Sequence, residues 1–172
     1  MLTALIHARR GPEALAVTLS ALVAGVAEGV IADAVVVADH DDAELAHIAE
    51  ATGAEFVVRP AGDPPWSCGA RRARREWLLC LDAGDIPLEG WIGAVDRFAF
   101  IAAREGYPIG RLARRSHSLR QWLKDFRARL SAQPCAGDVV HVSRLNERPR
   151  RVGRSKIARI DAHVARQGLL AS

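Results

Sequence analysis

Short apolar runs and longer amphipathic stretches alternate along the first 105 residues of this chain. Four runs rich in Val, Leu and Ile predict buried strands, at residues 2–7, 34–38, 54–58 and 77–81. Between them, apolar residues recur at spacings of three and four, which predicts helices over 12–28, from a cap at Asp41 or Asp42 to Gly53, and over 88–104. The proline-rich segment 59–68 predicts a loop, and residues 69–75 a short basic helix.

Strands that alternate with helices at this rhythm predict an α/β fold. Its core would be a mainly parallel sheet with helices on both faces. In such sheets ligands bind at the carboxyl ends of the strands. Three loops meet that condition, at residues 7–10, 39–42 and 82–85.

The pattern weakens after residue 105. Residues 116–130 predict an amphipathic helix with Leu, Trp and Phe on one face and Arg and Lys on the other. Residues 138–142 predict one more strand, and the arginine-rich tail 144–166 is only weakly periodic. We therefore expect an α/β half over 1–104 and a basic part over 105–172, partly helical, that packs on the same domain.

Charge divides the chain at about the same place. Residues 1–90 hold 7 Lys and Arg against 14 Asp and Glu, whereas residues 91–172 hold 17 against 6. The net charge of +4 therefore conceals an acidic half and a basic half. A basic half favours anionic partners such as nucleic acid, anionic lipid headgroups or phosphorylated small molecules, and a solvated arginine-rich surface is the alternative.

Length and composition narrow the class of protein. With 172 residues, 49% of them apolar, the chain is long enough for one core and too apolar for disorder. Its longest uncharged run, 14–27, is shorter than the ~20 residues of a membrane span, and its N-terminus does not resemble a secretory signal. Three separated cysteines favour a reducing compartment. We expect a cytoplasmic protein, with helix 116–130 either packed on the sheet or attached peripherally to the inner membrane face.

The strongest candidate for chemistry is the pair Asp82 and Asp85, directly after a buried strand. Two carboxylates at a strand end repel each other unless a cation or a proton relieves the repulsion. A hard divalent ion, completed by phosphate oxygens, is one solution. The alternative is structural, because Asp85 could cap a helix that begins near Pro87 while Asp82 satisfies the turn.

A second acidic group follows the second predicted strand. Asp39, Asp41 and Asp42 surround His40, and they could bind a ribose or a base edge, or simply cap the next helix. His7 ends the first strand, where it could donate to a phosphate or serve only as a satisfied strand-end residue. Four arginines at 71, 72, 74 and 75 could meet a diphosphate or form a solvated face.

Three segments of the chain occur in a recognisable order: ALIHARR at 4–10, VVVADHDD at 35–42 and GARRARREWLLCLDAGDIP at 69–87. Together they resemble the family-2 glycosyltransferases, which have a GT-A fold, and the resemblance covers about residues 2–100. In the third segment nine positions are in register with the family pattern: Gly69, Ala73, Glu76, Trp77, Leu81, Asp82, Ala83, Asp85 and Pro87.

This resemblance implies a Rossmann-like GT-A fold that binds a nucleotide-diphospho-sugar and moves the sugar to an acceptor. Asp39 is similar to the carboxylate that contacts the base or ribose, and Asp82 and Asp85 to the motif that holds Mg²⁺ or Mn²⁺ at the donor's diphosphate. The donor-binding residues expected on this basis are His7, Arg9, Asp39, Asp41 and Gly69. The basic half would suit an anionic membrane surface or a lipid-linked acceptor, and no specific nucleic acid is expected.

The chain departs from the family pattern at Gly84, where the family most often has the second Asp of its Asp-x-Asp motif. Asp85 could substitute from one position later, with a backbone shift that glycine permits. No downstream motif singles out a catalytic base among Asp125, Asp138, Glu147 and Asp161. These departures leave a second hypothesis open, a degenerate GT-A domain that binds a nucleotide or a partner without transfer.

Overall fold

The computed structural model describes residues 1–114, 133–146 and 157–167. Its strands are β1 (Leu2–His7), β2 (Ile31–Ala38), β3 (Glu55–Val58), β4 (Trp77–Asp82), β5 (Asp85–Pro87), β6 (Ile109–Arg114), β7 (Asp138–His141) and β8 (Ile157–Arg166). Its helices are α1 (Pro12–Ala27), α2 (Ala43–Ala51), α3 (Pro65–Ala70), α4 (Trp91–Glu105) and α5 (Ser143–Asn146). The predicted amphipathic helix 116–130 lies outside the described residues.

The described strands form one mixed sheet in the order β3-β2-β1-β4-β7-β6-β8-β5. The first four are parallel neighbours, as the alternation of strands and helices predicted. β7 runs antiparallel to both β4 and β6, β8 pairs in parallel with β6, and β5 pairs antiparallel with β8. The second half of the chain therefore extends the same sheet.

Helices cover both faces of this sheet, which confirms the predicted layer architecture. Neighbouring residues of β1 face opposite sides because side chains alternate along a strand. Ile6 belongs to the cluster that packs with α1, α2 and α4, whereas Leu5 packs with residues of α3 and α5. None of the described helices is long and apolar enough to span a bilayer.

Local sequence explains where the helices next to the sheet edge begin. Pro12 occupies the first turn of α1, where a missing backbone N–H costs nothing. Oδ1 of Asp42 accepts hydrogen bonds from the N–H groups of Glu44 and Leu45 at 3.0 and 3.1 Å, so Asp42 is the N-cap of α2. This cap fixes the loop between β2 and α2 at the carboxyl edge of the sheet.

The predictions of a loop at 59–68 and a basic helix at 69–75 were both wrong in part. Helix α3 begins at Pro65, inside the predicted loop, and residues 71–75 after it form turns and bends. Pro65 suits a first helical turn as Pro12 does, so its presence marked a helix start rather than a loop. Gly69 allows α3 to lie close to the sheet, because a Cβ at that position would be 3.0 Å from Cγ2 of Val37.

The weak periodicity of the tail 144–166 does not predict strand β8, which the structure shows at Ile157–Arg166. Buried Ile160, Ala162 and Val164 alternate with exposed neighbours, which is the period of a half-buried strand. The arginines and small residues around them weakened the apolar signal.

One contact between α4 and the sheet gives a test of this packing. A Cβ added at buried Gly110 would lie 2.6 Å from Cζ of Phe98 and 2.7 Å from Cδ1 of Ile160. We expect Gly110→Ala to lower the free energy of unfolding by about 1–3 kcal/mol, because the core must shift to admit the methyl group. Gly93→Ala is the matched control on the exposed face of α4, where alanine should stabilise by about 0.5–1 kcal/mol. Equal thermal melting of Gly110→Ala and wild type would contradict this packing.

Candidate functional site

Three of the predicted site residues meet at the carboxyl edge of the parallel strands. His7 ends β1, Asp82 ends the neighbouring β4, and Asp39 follows the last residue of β2. Nε2 of His7 donates a hydrogen bond to Oδ1 of Asp39 at 2.8 Å, while Nδ1 of His7 lies 3.9 Å from Oδ1 of Asp82. The imidazole therefore stands between the two carboxylates, as the parallel register requires.

His7 is held in this position by aromatic packing. Its side chain is buried, and its ring meets the ring of Trp66 edge-on, with centroids 6.1 Å apart and an interplanar angle of 80°. Trp66 lies on α3, the helix that the sequence pattern did not predict. The proline-rich segment 59–68 therefore forms one side of the site through Trp66.

Asp39 is an exposed, strongly ionised acceptor. Nε of Arg59 donates to its Oδ1 at 2.6 Å, and this bond, followed by the bond from His7, lowers the pKa of Asp39 to about 2. The Asp39 side chain is still 38% exposed, so a ligand can reach it. Arg59 is itself fixed by a hydrogen bond from its Nη1 to the carbonyl oxygen of Asp63 at 2.8 Å.

Asp82 is buried and faces two guanidinium groups. Nη2 of Arg9 donates to Oδ2 of Asp82 at 2.8 Å, and Nη2 of Arg166 lies 3.5 Å from the same oxygen. Oδ1 of Asp82 is too far from His7 for a hydrogen bond. Oδ1 of Asp82 is therefore available to a ligand, and a carboxylate oxygen is the kind of ligand atom that a hard divalent cation prefers.

Asp85 has a different environment from Asp82. It is fully buried, and its Oδ2 accepts a hydrogen bond from the backbone N–H of Asp82 at 2.9 Å. The Arg114 guanidinium donates to both oxygens of the same carboxylate. Binding of a metal ion by Asp85 would require Arg114 to leave, so the metal-binding role of Asp85 stays a prediction, and its present contacts are structural.

Gly84 lies between the two carboxylates of the loop, and its backbone conformation disfavours a side chain at this position. Its φ is +88°, a conformation that side chains rarely adopt, and its N–H donates to Oγ1 of Thr18 at 2.8 Å. A Cβ at this position would lie 3.1 Å from Nη1 of Arg10. The space next to the loop is therefore occupied by a guanidinium group.

Among the described residues, no cluster of three or more His, Cys, Asp or Glu could hold a metal ion.

The remaining predicted residues lie outside this group of contacts. Asp41 is exposed in the loop before α2, and Gly69 is buried where α3 meets the sheet. From the basic cluster, Arg71 donates to Asp63 and Arg72 lies 3.6 Å from Glu55, so both pair with surface carboxylates.

Two of the downstream acids can be placed. Asp138 is fully buried, and the Arg111 guanidinium binds it through Nε at 2.7 Å and Nη2 at 2.8 Å, which is a structural ion pair. Asp161 lies on the exposed side of β8.

Sequence reasoning missed Arg59, Arg114 and Arg166 at this site. Arg166 is 84 residues from Asp82, its partner in the structure, and Arg114 is 29 residues from Asp85. For Arg114 and Arg166 the excess of positive charge after residue 90 was the only signal, and it carried no information on position.

Comparison with solved structures identifies the fold. Glucosyl-3-phosphoglycerate synthase from Mycobacterium tuberculosis, in complex with Mn²⁺, UDP and glucosyl-3-phosphoglycerate, matches with a TM-score of 0.63 at 15% identity, over 96% of this chain and 72% of that one. S. aureus TarS in complex with UDP-GlcNAc matches with a TM-score of 0.58 at 13% identity, over 97% and 59%. No protein-family model matches the sequence, and no curated protein does.

The chain therefore has the GT-A fold, as the sequence resemblance implied. Structures of the mycobacterial enzyme hold UDP together with Mn²⁺ or Mg²⁺. At these identities the likeness shows the fold.

The contact between Arg59 and Asp39 predicts a specific titration. The pKa of Asp39 is lowered from 3.8 to about 2, so the group adds stability above its unfolded pKa and loses it as the pH falls through 2. We expect an NMR titration of the Asp39 carboxyl carbon to give a midpoint near 2. Arg59→Gln should move that midpoint up toward 3.8, whereas Arg72→Gln, on the surface, should not. An unchanged midpoint in Arg59→Gln would show that Arg59 does not bind Asp39.

Proposed function

We propose that this protein binds a nucleotide-diphospho-sugar and transfers its sugar to an acceptor. The observation that carries the proposal is the meeting of Asp39, His7 and Asp82 at the carboxyl edge of a GT-A sheet, next to the guanidinium group of Arg9. Ligands of open α/β sheets bind at this edge. Support also comes from the UDP and UDP-GlcNAc complexes of the neighbouring structures.

Asp39 suits the nucleoside part of such a donor. Its Oδ1 is taken by Arg59 and His7, while its Oδ2 is left to accept from a ribose hydroxyl or a base N–H. The carboxylate is ionised at neutral pH, and its lowered pKa keeps it ionised in moderate acid as well, so it acts only as an acceptor. Arg59 and His7 hold the orientation of the carboxylate before the donor arrives.

Arg9 and Asp82 suit the diphosphate part. The Arg9 side chain is 52% exposed, so most of its donors can reach a phosphate while one remains on Asp82. Asp82 fits a divalent cation through Oδ1, since one carboxylate completed by phosphate oxygens is a common arrangement for Mg²⁺. When bound, the ion stabilises negative charge on the departing diphosphate. Asp85 keeps the backbone of Asp82 in place through its hydrogen bond with the Asp82 N–H.

A second candidate function is nucleotide binding without transfer. The observation that favours it is the commitment of Asp85 to Arg114, together with the Arg10 guanidinium beside Gly84. A site with one free carboxylate oxygen has less capacity to hold a metal than a site with two carboxylates.

The proposal of sugar transfer also requires an acceptor. The basic half of the chain would suit a lipid-linked acceptor or attachment to an anionic membrane surface.

Calorimetric titration with UDP and GDP, each with and without Mn²⁺, tests the proposal. We expect one nucleotide to bind, and Mn²⁺ to tighten its binding by about tenfold or more in the wild type. Asp82→Asn should remove that effect of Mn²⁺, because the metal ligand is lost. Asp96→Asn, which changes an exposed carboxylate on α4, should retain it.

Release of UDP or GDP from the corresponding sugar donors, followed by ³¹P NMR, separates the two candidate functions. Steady release that requires Asp82 supports transfer chemistry, and binding without release supports the second function. Failure of both nucleotides to bind under all conditions would refute the proposal.

A further inference from the structure

More positive than negative charge surrounds the acidic loop. Three guanidinium groups, those of Arg9, Arg114 and Arg166, contact the two carboxylates of Asp82 and Asp85. Arg114 takes both oxygens of Asp85, and Arg9 donates to Asp82. These two pairs already balance the charge of the loop, so the third guanidinium is in excess.

Arg166 is that third group, and its pairing is weak. Its Nη2 is 3.5 Å from Oδ2 of Asp82, and its Nε is 3.7 Å from Oδ1 of Asp85. Within the described residues, Nε of Arg166 is buried and has no hydrogen-bond partner. Because an unsatisfied buried donor is costly, such a group calls for an acceptor that the described residues do not supply, such as a water or an anion.

A further guanidinium, that of Arg10, lies next to Gly84 in the acidic loop. Nη1 of Arg10 is 3.1 Å from the position that a Cβ of Gly84 would take, and Cβ of Gln167 is 3.7 Å from it. Arg10 is exposed. A cation therefore lies next to the glycine that separates Asp82 from Asp85.

We propose that Arg9, Arg10 and Arg166 form an anion site that binds the diphosphate of the donor directly, so that pyrophosphate and nucleoside diphosphates bind in the absence of any metal ion. A planar guanidinium group can bind two phosphate oxygens at once, and three such groups, from the loop after β1 and the end of β8, can surround a diphosphate. The identity of the anion as part of a nucleotide rests on the proposed function, whereas the anion site itself does not.

The alternative explanation for Arg166 is purely structural. As the cross-strand partner of Asp85 in the pairing of β5 with β8, it could serve only to stabilise that pair. In that case its replacement would lower the melting temperature and leave anion affinity unchanged. The two explanations therefore predict different binding data.

The test is calorimetric titration of the full chain with pyrophosphate, in EDTA and at low ionic strength. We expect binding to the wild type, and a loss of affinity of about tenfold or more in both Arg9→Gln and Arg166→Gln. Arg166→Lys should fall between them and the wild type, because it keeps the charge and loses the paired donors. Arg72→Gln, with an exposed guanidinium outside the site, should bind as the wild type does.

Arg9→Gln keeps the test decisive if the Arg166 variants do not fold, because the Arg9 side chain is 52% exposed. Pyrophosphate that binds only when Mn²⁺ is added, or that binds equally to wild type and Arg9→Gln, would overturn the anion site. UDP and GDP serve as the second arm. If neither binds more tightly than pyrophosphate, the nucleotide part of the proposed function fails while the anion site stands.

Discussion

The buried carboxylate of Asp85 connects the two halves of the sheet. It accepts hydrogen bonds from the backbone N–H of Asp82 at the end of β4 and from Arg114 at the end of β6, while its carbonyl oxygen accepts one from Thr18 on α1. Removal of one partner from such a buried ion pair costs about 3–5 kcal/mol, because the remaining charge is left uncompensated. The pair therefore fixes the acidic loop with respect to both the parallel strands and the strands that follow residue 105.

This structural use of Asp85 limits the chemistry of the loop. With Asp85 committed to Arg114, Asp82 is the loop carboxylate that still has an oxygen for a cation. Two neighbouring carboxylates need positive charge close by, which a metal ion could supply. Here arginines from both halves of the chain supply part of it, Arg9 from the loop after β1 and Arg166 from β8. Under the proposed function, the carboxylate of Asp39 would face the nucleoside, and the guanidinium groups of Arg9 and Arg166 would face the diphosphate.

Sequence patterns predicted the strands whose apolar signal lies within one short, continuous segment. The apolar runs at 2–7, 34–38 and 77–81, within β1, β2 and β4, contain no acidic or basic residue other than His7, and parallel register alone places the acids that follow them. Strands β6 and β8 were not found, because Gly110 and several arginines interrupt their apolar pattern. Their burial depends on partners that only the tertiary fold brings together.

The same reason separates the predictable part of the site from the rest. Asp39 and Asp82 follow strands and could be proposed from position, whereas the arginines that bind them come from distant segments. The pattern of Asp85 before Pro87 fits a metal motif and a structural turn equally well, and the deciding partner, Arg114, lies on a strand that the sequence did not predict.

A crystal structure of the protein with UDP and Mn²⁺, with the metal located by its anomalous scattering, tests the account most directly. The account predicts the diphosphate against Arg9 and Arg166, the Mn²⁺ peak next to Oδ1 of Asp82, and Asp85 still paired with Arg114. A Mn²⁺ ion bridging Asp82 and Asp85 with Arg114 displaced, or UDP bound away from the carboxyl edge of β1 and β4, would contradict it.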